Sequence, residues 1–499
     1  MTDQNIIFTG VGLYLAAMLA IGVYAARRAT SPEDFMIAGR SLPLWLCSAT
    51  IMATWIGGGS MLGVSGMTYN GGLLAVIADP FGAAVGLALV GLFIVRIVRR
   101  LKLVTVIDFM EIRFGGAVAL FSAIAMASSS IGWAGALMVA FGVVLNSLTG
   151  LPLEWGIIIG GSIVLIYTAA GGMWAVVLTD FVQLGVIVTG LIILLVVVIV
   201  DMGGWTLAWS AVPADKFRML PETNDAVSWL QYLRAWSIIG IANLASQSLL
   251  QRGLSASNEQ VAQNAFYIGS IGFLAIAMMP VMLGLLASVS MPGIEDQQTI
   301  IPTLAKQHLH PVLMAIFVGA LLAAIMSSAD SALLSASSVI SKNILPVFWP
   351  DADEHRRMIW ARGSIPVIGV IAAVIALKVQ AIYNLILDAN AVLLAAVIVP
   401  FVLGIWWQDA NRSGALAAML AGLLVWFTSR LMWPEYPGDL LGMAACLLTM
   451  LIVTPLTQKF DPPRPLLTSD GQEIELTDRL GILGSFLHKP PPGSEGIRD

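Results

Sequence analysis

Charge is what this 499-residue chain has least of: Asp, Glu, Lys and Arg together make up 11% of it, against roughly 25% in soluble domains. With 58% of residues hydrophobic, there is too little polar surface for a water-soluble globule, and the composition points to a polytopic membrane protein. Cysteine is equally scarce. Cys47 and Cys446 both fall in apolar runs, which excludes a disulfide or metal framework and leaves packing as their role. The histidines are His308, His310, His355 and His488, in or near loops and without metal-ligand spacing. With no His-x-x-Glu-His at depth, and Asp180 with Asp330 only superficially passing for an aspartyl dyad, an embedded enzyme is not expected. The polar segment after Gln458 is too short for a kinase or nucleotide-binding domain, which argues against a sensor that signals through its tail. No nucleic-acid partner, cofactor or resident metal is expected, and the sequence assigns no oligomeric state.

What the chain has in abundance is apolar runs of about 20 residues, the length a helix needs to span hydrocarbon. About thirteen are expected, over 7–26, 44–69, 72–97, 117–147, 153–172, 176–201, 229–251, 262–290, 311–344, 359–379, 382–406, 412–433 and 438–456. Basic clusters at Arg27-Arg28, Arg96 to Lys102, Arg252, Lys342 and Arg356-Arg357-Arg362 fall on one side by this count. The positive-inside rule makes that side cytoplasmic, with the N-terminus outside and the C-terminus inside the plasma membrane. Met1 to Ile6 lacks a basic n-region, so the first span reads as a retained helix and not a cleaved signal.

Two spans are weakened at comparable depth. Gly57-Gly58-Gly59 interrupts 44–69, while Gly240, Asn243, Ser246 and Gln247 interrupt 229–251. Broken helices five spans apart point to an inverted repeat, because an odd repeat reverses its orientation in the bilayer and places free carbonyls at the midplane. The expected organisation is 1–43, an extra span and loop; 44–201, the first repeat; 202–228, an outer loop; 229–406, the second repeat; 407–457, two peripheral spans; and 458–499, a cytoplasmic tail. The loops 202–228 and 291–310 are each long enough for a small outer helix.

Chemistry concentrates in Ala324-Ile-Met-Ser-Ser-Ala-Asp-Ser-Ala-Leu333, where hydroxyls and a carboxylate sit inside an apolar stretch. Such groups at membrane depth are costly unless they meet an ion, a ligand or water. Ser327, Ser328, Asp330 and Ser331 fall within about one helical turn, so several oxygens converge on one small cation. Asp79, Asp180 and Asp388 are further carboxylates within spans, singly placed, which is unlike a channel filter. Asp180 and Asp388 also read as helix caps or solvated positions.

The chain resembles the sodium:solute symporter family, and within it the high-affinity choline transporter branch. The stretches that carry the likeness are Ala53-Thr-Trp-Ile56-Gly-Gly-Gly59, Gly171-Gly172 through Thr179-Asp180-x-x-Gln183, Gln251-Arg252-x-Leu-Ser255 and Ala324-x-x-Ser327-Ser328-x-Asp330-Ser331. The resemblance implies an all-α membrane protein with an inverted five-helix repeat of the LeuT type. It also implies a sodium site made by the carbonyls of Ala53, Ile56 and Ala324 with the hydroxyls of Ser327 and Ser328. Some members are thought to hold a second sodium near the positions of Asp180, Ser327, Asp330 and Ser331. A carboxylate at 330, where those members have serine, either strengthens such a site or turns it into a proton site. For the solute, Trp55 and Trp133 match two positions of an aromatic cage for quaternary ammonium, but Ala83 and Ser246 replace two others. Asp79 offers a carboxylate instead, with Asn243, Ser246, Gln247 and Ser130 as polar lining. The implied activity is sodium-coupled import of a small polar solute, choline-like or another amine. The alternatives are sodium- or proton-coupled import of an amino acid, carboxylate or sugar, or a transporter-like sensor.

Overall fold

Glycine and close helix approach cut the apolar runs into pieces, and those pieces decide the architecture. A computed structural model of the chain describes residues 3–223, 225–379, 382–467, 471–472 and 474. Eleven helices position the site: α1 (Asp3–Ala26), α2 (Leu44–Trp55), α3 (Gly116–Thr149), α4 (Leu153–Asp201), α5 (Gln247–Ser255), α6 (Glu259–Ser290), α7 (Pro311–Val339), α8 (Glu354–Val379), α9 (Ile382–Val392), α10 (Arg412–Met432) and α11 (Gly438–Thr457).

Ten helical runs are long and apolar enough to cross a membrane among the described residues. The thirteen expected spans become ten for physical reasons. α4 runs 49 residues but turns at Gly172, whose φ of +55° divides it into the two expected spans. Only glycine suits that turn, since a Cβ there would lie 2.4 Å from the Phe35 carbonyl oxygen. Spans 44–69 and 72–97 share one long run, Gly59–Phe93, with α2 as a separate short helix. Span 229–251 contributes no long run: it is built from Ala226–Trp236, a π turn Ser237–Ile241, a 3-10 turn Ala242–Ala245 and α5. The loop 202–228 carries Trp205–Ser210 and Ala214–Phe217, and Ile300–His308 forms a helix in 291–310.

At the centre lies α7, buried without a gap from Phe317 to Val339, six serines and Asp330 included. It packs against α3 and α4, while α6 packs against α2, Val64–Gly71 and Ala83–Phe93. α2 touches both α4 and α6 and so sits between the two groups. The outer surface is the reverse of a soluble protein's: Leu13 is 69%, Ile271 74% and Leu424 65% exposed. Apolar area on this scale is stable only against acyl chains. α10 and α11 form a peripheral hairpin. At one end of the molecule Leu42 and Ala256 form a short β-bridge, with Leu42 N–H donating to Ser255 O and Ser257 N–H to Leu42 O, both at 3.0 Å. It joins the start of α2 to the end of α5. Residues 475–499 of the expected tail lie outside the described residues.

Candidate functional site

Helix α2 stops where its last turn meets the glycine triplet: Ile56 leaves the helical region at φ −86°, ψ 77°. Gly57 is then pressed against α7 so closely that a Cβ would meet Ser328 Oγ at 2.4 Å. The break therefore delivers main-chain carbonyls directly to the serines of α7. Ser327 Oγ donates to Ala53 O at 2.9 Å and to Ala324 O at 3.0 Å, and Ser328 Oγ donates to Thr54 O at 2.7 Å. Four of the five residues expected at the sodium site are thus gathered by hydrogen bonds or close approach, and Ile56, fully buried, forms the turn itself. The Thr54 carbonyl was not anticipated. All these groups are neutral oxygens, a donor set suited to a monovalent cation that must also leave.

Both unwound segments open onto one cavity. All six residues expected to meet solute line it: Trp55, Asp79, Trp133, Asn243, Ser246 and Gln247. Ser328 lines it too, so the cation candidate and the cavity share a wall. Asp79 is 8% exposed, in extended backbone at φ −141°, ψ 116°. Its Oδ2 accepts from Ser60 Oγ at 2.7 Å, and Ser60 Oγ also reaches Trp55 O at 3.0 Å. Asn243 Nδ2 donates to Asn390 Oδ1 at 2.8 Å, and the hydroxyls of Ser246 and Ser248 lie 2.9 Å apart. Gln247 Oε1 accepts from Val106 N–H at 2.8 Å. Ser130 Oγ lies 3.1 Å from Ser335 Oγ on α7. Ala83 is fully buried and does not line the cavity.

Asp180, Asp330 and Ser331 lie in a second buried cluster, each 0% exposed. Asp180 is therefore no solvated helix cap. Thr50 Oγ1 donates to Asp180 Oδ2, and Tyr167 OH donates to Asp330 Oδ2 at 2.8 Å. Ser331 Oγ donates to Ser327 O at 2.7 Å and lies 3.2 Å from Thr54 Oγ1, which links this cluster to the first. The guanidinium of Arg252, also 0% exposed, donates to Ser331 Oγ and Ser248 O and has both Asp180 and Asp330 as electrostatic neighbours. Asp388 instead is solvated, its side chain 51% exposed and paired with Arg430 at 2.9 Å.

Sequence reasoning missed Ser60, Asn390, Ser248 and the role of Arg252. Ser60 follows the glycine triplet directly and Arg252 is a lone charge in an apolar stretch, so both carried a signal. Asn390 and Ser248 carried none apart from depth.

The family model "Sodium:solute symporter family" matches residues 35–422. High-affinity choline transporter 1 of Drosophila melanogaster is 27% identical over 436 residues, covering 83% of this chain and 69% of the relative. The osmoregulated proline transporter OpuE of Bacillus subtilis is 27% identical over 470 residues, covering 89% and 94%. Among solved structures, a Na+-coupled sialic acid symporter in its substrate-bound outward-open state superposes with a TM-score of 0.81 at 20% identity, over 92% of this chain and 99% of that one. A nucleobase-cation-symport-1 family transporter in a closed conformation gives 0.60 at 14%, over 86% and 95%. These share the LeuT-type fold, so the helices around the two unwound segments belong to an inverted-repeat core of that type. With the family match spanning most of its length and the same architecture around its broken helices, this chain belongs to the sodium:solute symporter family.

Proposed function

We propose that the chain imports a small polar amine across the plasma membrane, driven by sodium bound between the break after α2 and the serines of α7. Sodium-coupled symport follows from the family; the amine and the ion-binding residues are our reading. Relatives of equal identity are named choline and proline transporters, so their names do not choose the solute. One observation carries the proposal. Ser328 belongs both to the hydroxyl pair on the α2 carbonyls and to the wall of a cavity in which, among the described residues, Asp79 alone is charged. Ion and solute then bias the same helix contact.

In mechanism, the Ser327 and Ser328 hydroxyls turn their protons away from the carbonyls and share those oxygens with the ion. This ties α2 to α7 and favours the state that binds solute, which requires different sodium affinities in the two states. Each sodium moving inward gains about 2.3 kcal/mol per 100 mV of potential. Release inside frees both helices. The second cluster, with two carboxylates against one guanidinium, is one positive charge short of balance when both are ionised. A cation or a proton there completes it, and we assign Asp180, Asp330 and Ser331 to that role. For orientation, the structure brings Arg40 onto the carbonyls of Lys102 and Leu103, Arg99 onto those of Ala256 and Ser257, and Arg362 onto that of Ala29. This shared face supports a cytoplasmic assignment for these segments, with the N-terminus outside and the C-terminus inside.

The test is thermal unfolding of the purified protein against amines, amino acids, sugars and carboxylates, each in sodium and in potassium. Binding to the folded state stabilises it by about 2.7 kcal/mol at a hundred times Kd. We expect an amine to stabilise only in sodium. Equal stabilisation in potassium would count against sodium coupling, and stabilisation by a sugar or carboxylate alone would count against the amine.

A further inference from the structure

Resting on that reading, we infer that the solute is a protonated amine that keeps at least one N–H and carries a neutral hydrogen-bond acceptor at its other end. Two side chains lining the cavity define this chemistry. Asp79 is more than nine-tenths buried, with Oδ2 taken by Ser60 and Oδ1 having no hydrogen-bond partner among the described residues. Gln247 is 1% exposed, and because its Oε1 is held by the Val106 N–H, the group left over is the Nε2 donor, which also has no partner. The residues lining the cavity thus include one lone acceptor and one lone donor, and a buried polar atom left unpaired is costly to the fold. A ligand that donates to the first and accepts from the second removes both costs at once.

The charges narrow the class. Among the described residues that line the cavity, Asp79 alone is ionisable and none is Lys, Arg or His. A cation is therefore favoured, while the carboxylate of a zwitterion would meet only neutral donors. The faces of Trp55 and Trp133 attract any ammonium, so they do not separate a quaternary nitrogen from a protonated one. Asp79 Oδ1 does separate them, because a trimethylated nitrogen has no proton to give it.

The test is a methylation series read as sodium-dependent thermal stabilisation of the full-length protein: ethanolamine, N-methylethanolamine, N,N-dimethylethanolamine and choline, with propylamine and glycine alongside. We expect the first three to bind comparably and choline to bind about tenfold or more weakly, the scale of one hydrogen bond to a charged group. Propylamine, which lacks the acceptor, falls by a similar factor, and Asp79→Asn flattens the step between dimethylethanolamine and choline. Choline binding as well as ethanolamine, or glycine binding better than it, overturns the inference and leaves sodium symport standing. An intact methylation step with equal stabilisation in potassium does the reverse, since it removes sodium coupling and keeps the amine chemistry. The series needs no variant, so a fold damaged by Asp79→Asn does not stop the test.

Discussion

Ser327 holds two carbonyls, one from each side of the helix contact, with a single hydroxyl. Ser327→Ala should therefore raise the sodium needed for half-maximal uptake about 10- to 100-fold, the range for an interaction with a charged group. Solute affinity in saturating sodium should change far less, and an equal loss in both titrations would remove Ser327 from the proposed ion site. Asp79→Asn should show the opposite split, weakening solute binding and leaving the sodium dependence of stability in place. Residues of this kind were legible because polar side chains in apolar spans are costly and so stand out. Ser60 and Arg252 were visible as residues but not as partners. Ser60 meets Asp79 from 19 positions away and Arg252 meets Ser331 from 79 positions away, and a single sequence does not encode which turns of distant helices come into register.

Among the elements, the broken helices were the most legible part of the fold. A glycine triplet inside an apolar run has few explanations, and a cluster of Asn, Ser and Gln in another run five spans later narrows them. A division of 153–201 between 172 and 176 was also anticipated, although its cause, the carbonyl of Phe35 against Gly172, is tertiary. Two glycine substitutions separate function from fold here. Gly172→Ala places a side chain at φ +55° against a carbonyl, at a cost of about 1–3 kcal/mol for the backbone alone. Its signature should be a lower unfolding temperature with or without sodium. Gly57→Ala pushes a methyl onto Ser328 Oγ at ordinary backbone angles. Here the protein should fold but respond weakly to sodium, as seen by comparing unfolding in sodium and potassium. The continuous π and 3-10 turns that replace span 229–251 were not foreseeable, because apolar periodicity does not distinguish helix types over four or five residues.

Across the whole molecule, the peripheral hairpin is joined to the core by two ion pairs of different character. Arg234 reaches Asp439, whose side chain is 3% exposed, at 2.7 Å, and Arg430 reaches the 51% exposed Asp388 at 2.9 Å. The first fastens the segment leading into the second unwound stretch; the second fastens α9, which also lines the cavity through Ile386 and Asn390. Asp439→Asn should cost on the order of 1–3 kcal/mol, whereas Asp388→Asn should cost under about 1 kcal/mol because water screens it. Unfolding of the two variants side by side checks the ranking. The membrane class and repeat pattern needed only composition and broken spans, but which peripheral charge meets which core helix depended on loops that carry no periodic signal. The bridge between Leu42 and Ala256 has a mechanical meaning at this scale. It staples the foot of one interrupted helix to the foot of its counterpart with two main-chain hydrogen bonds. Any rocking that keeps those bonds must carry both feet as a single blade.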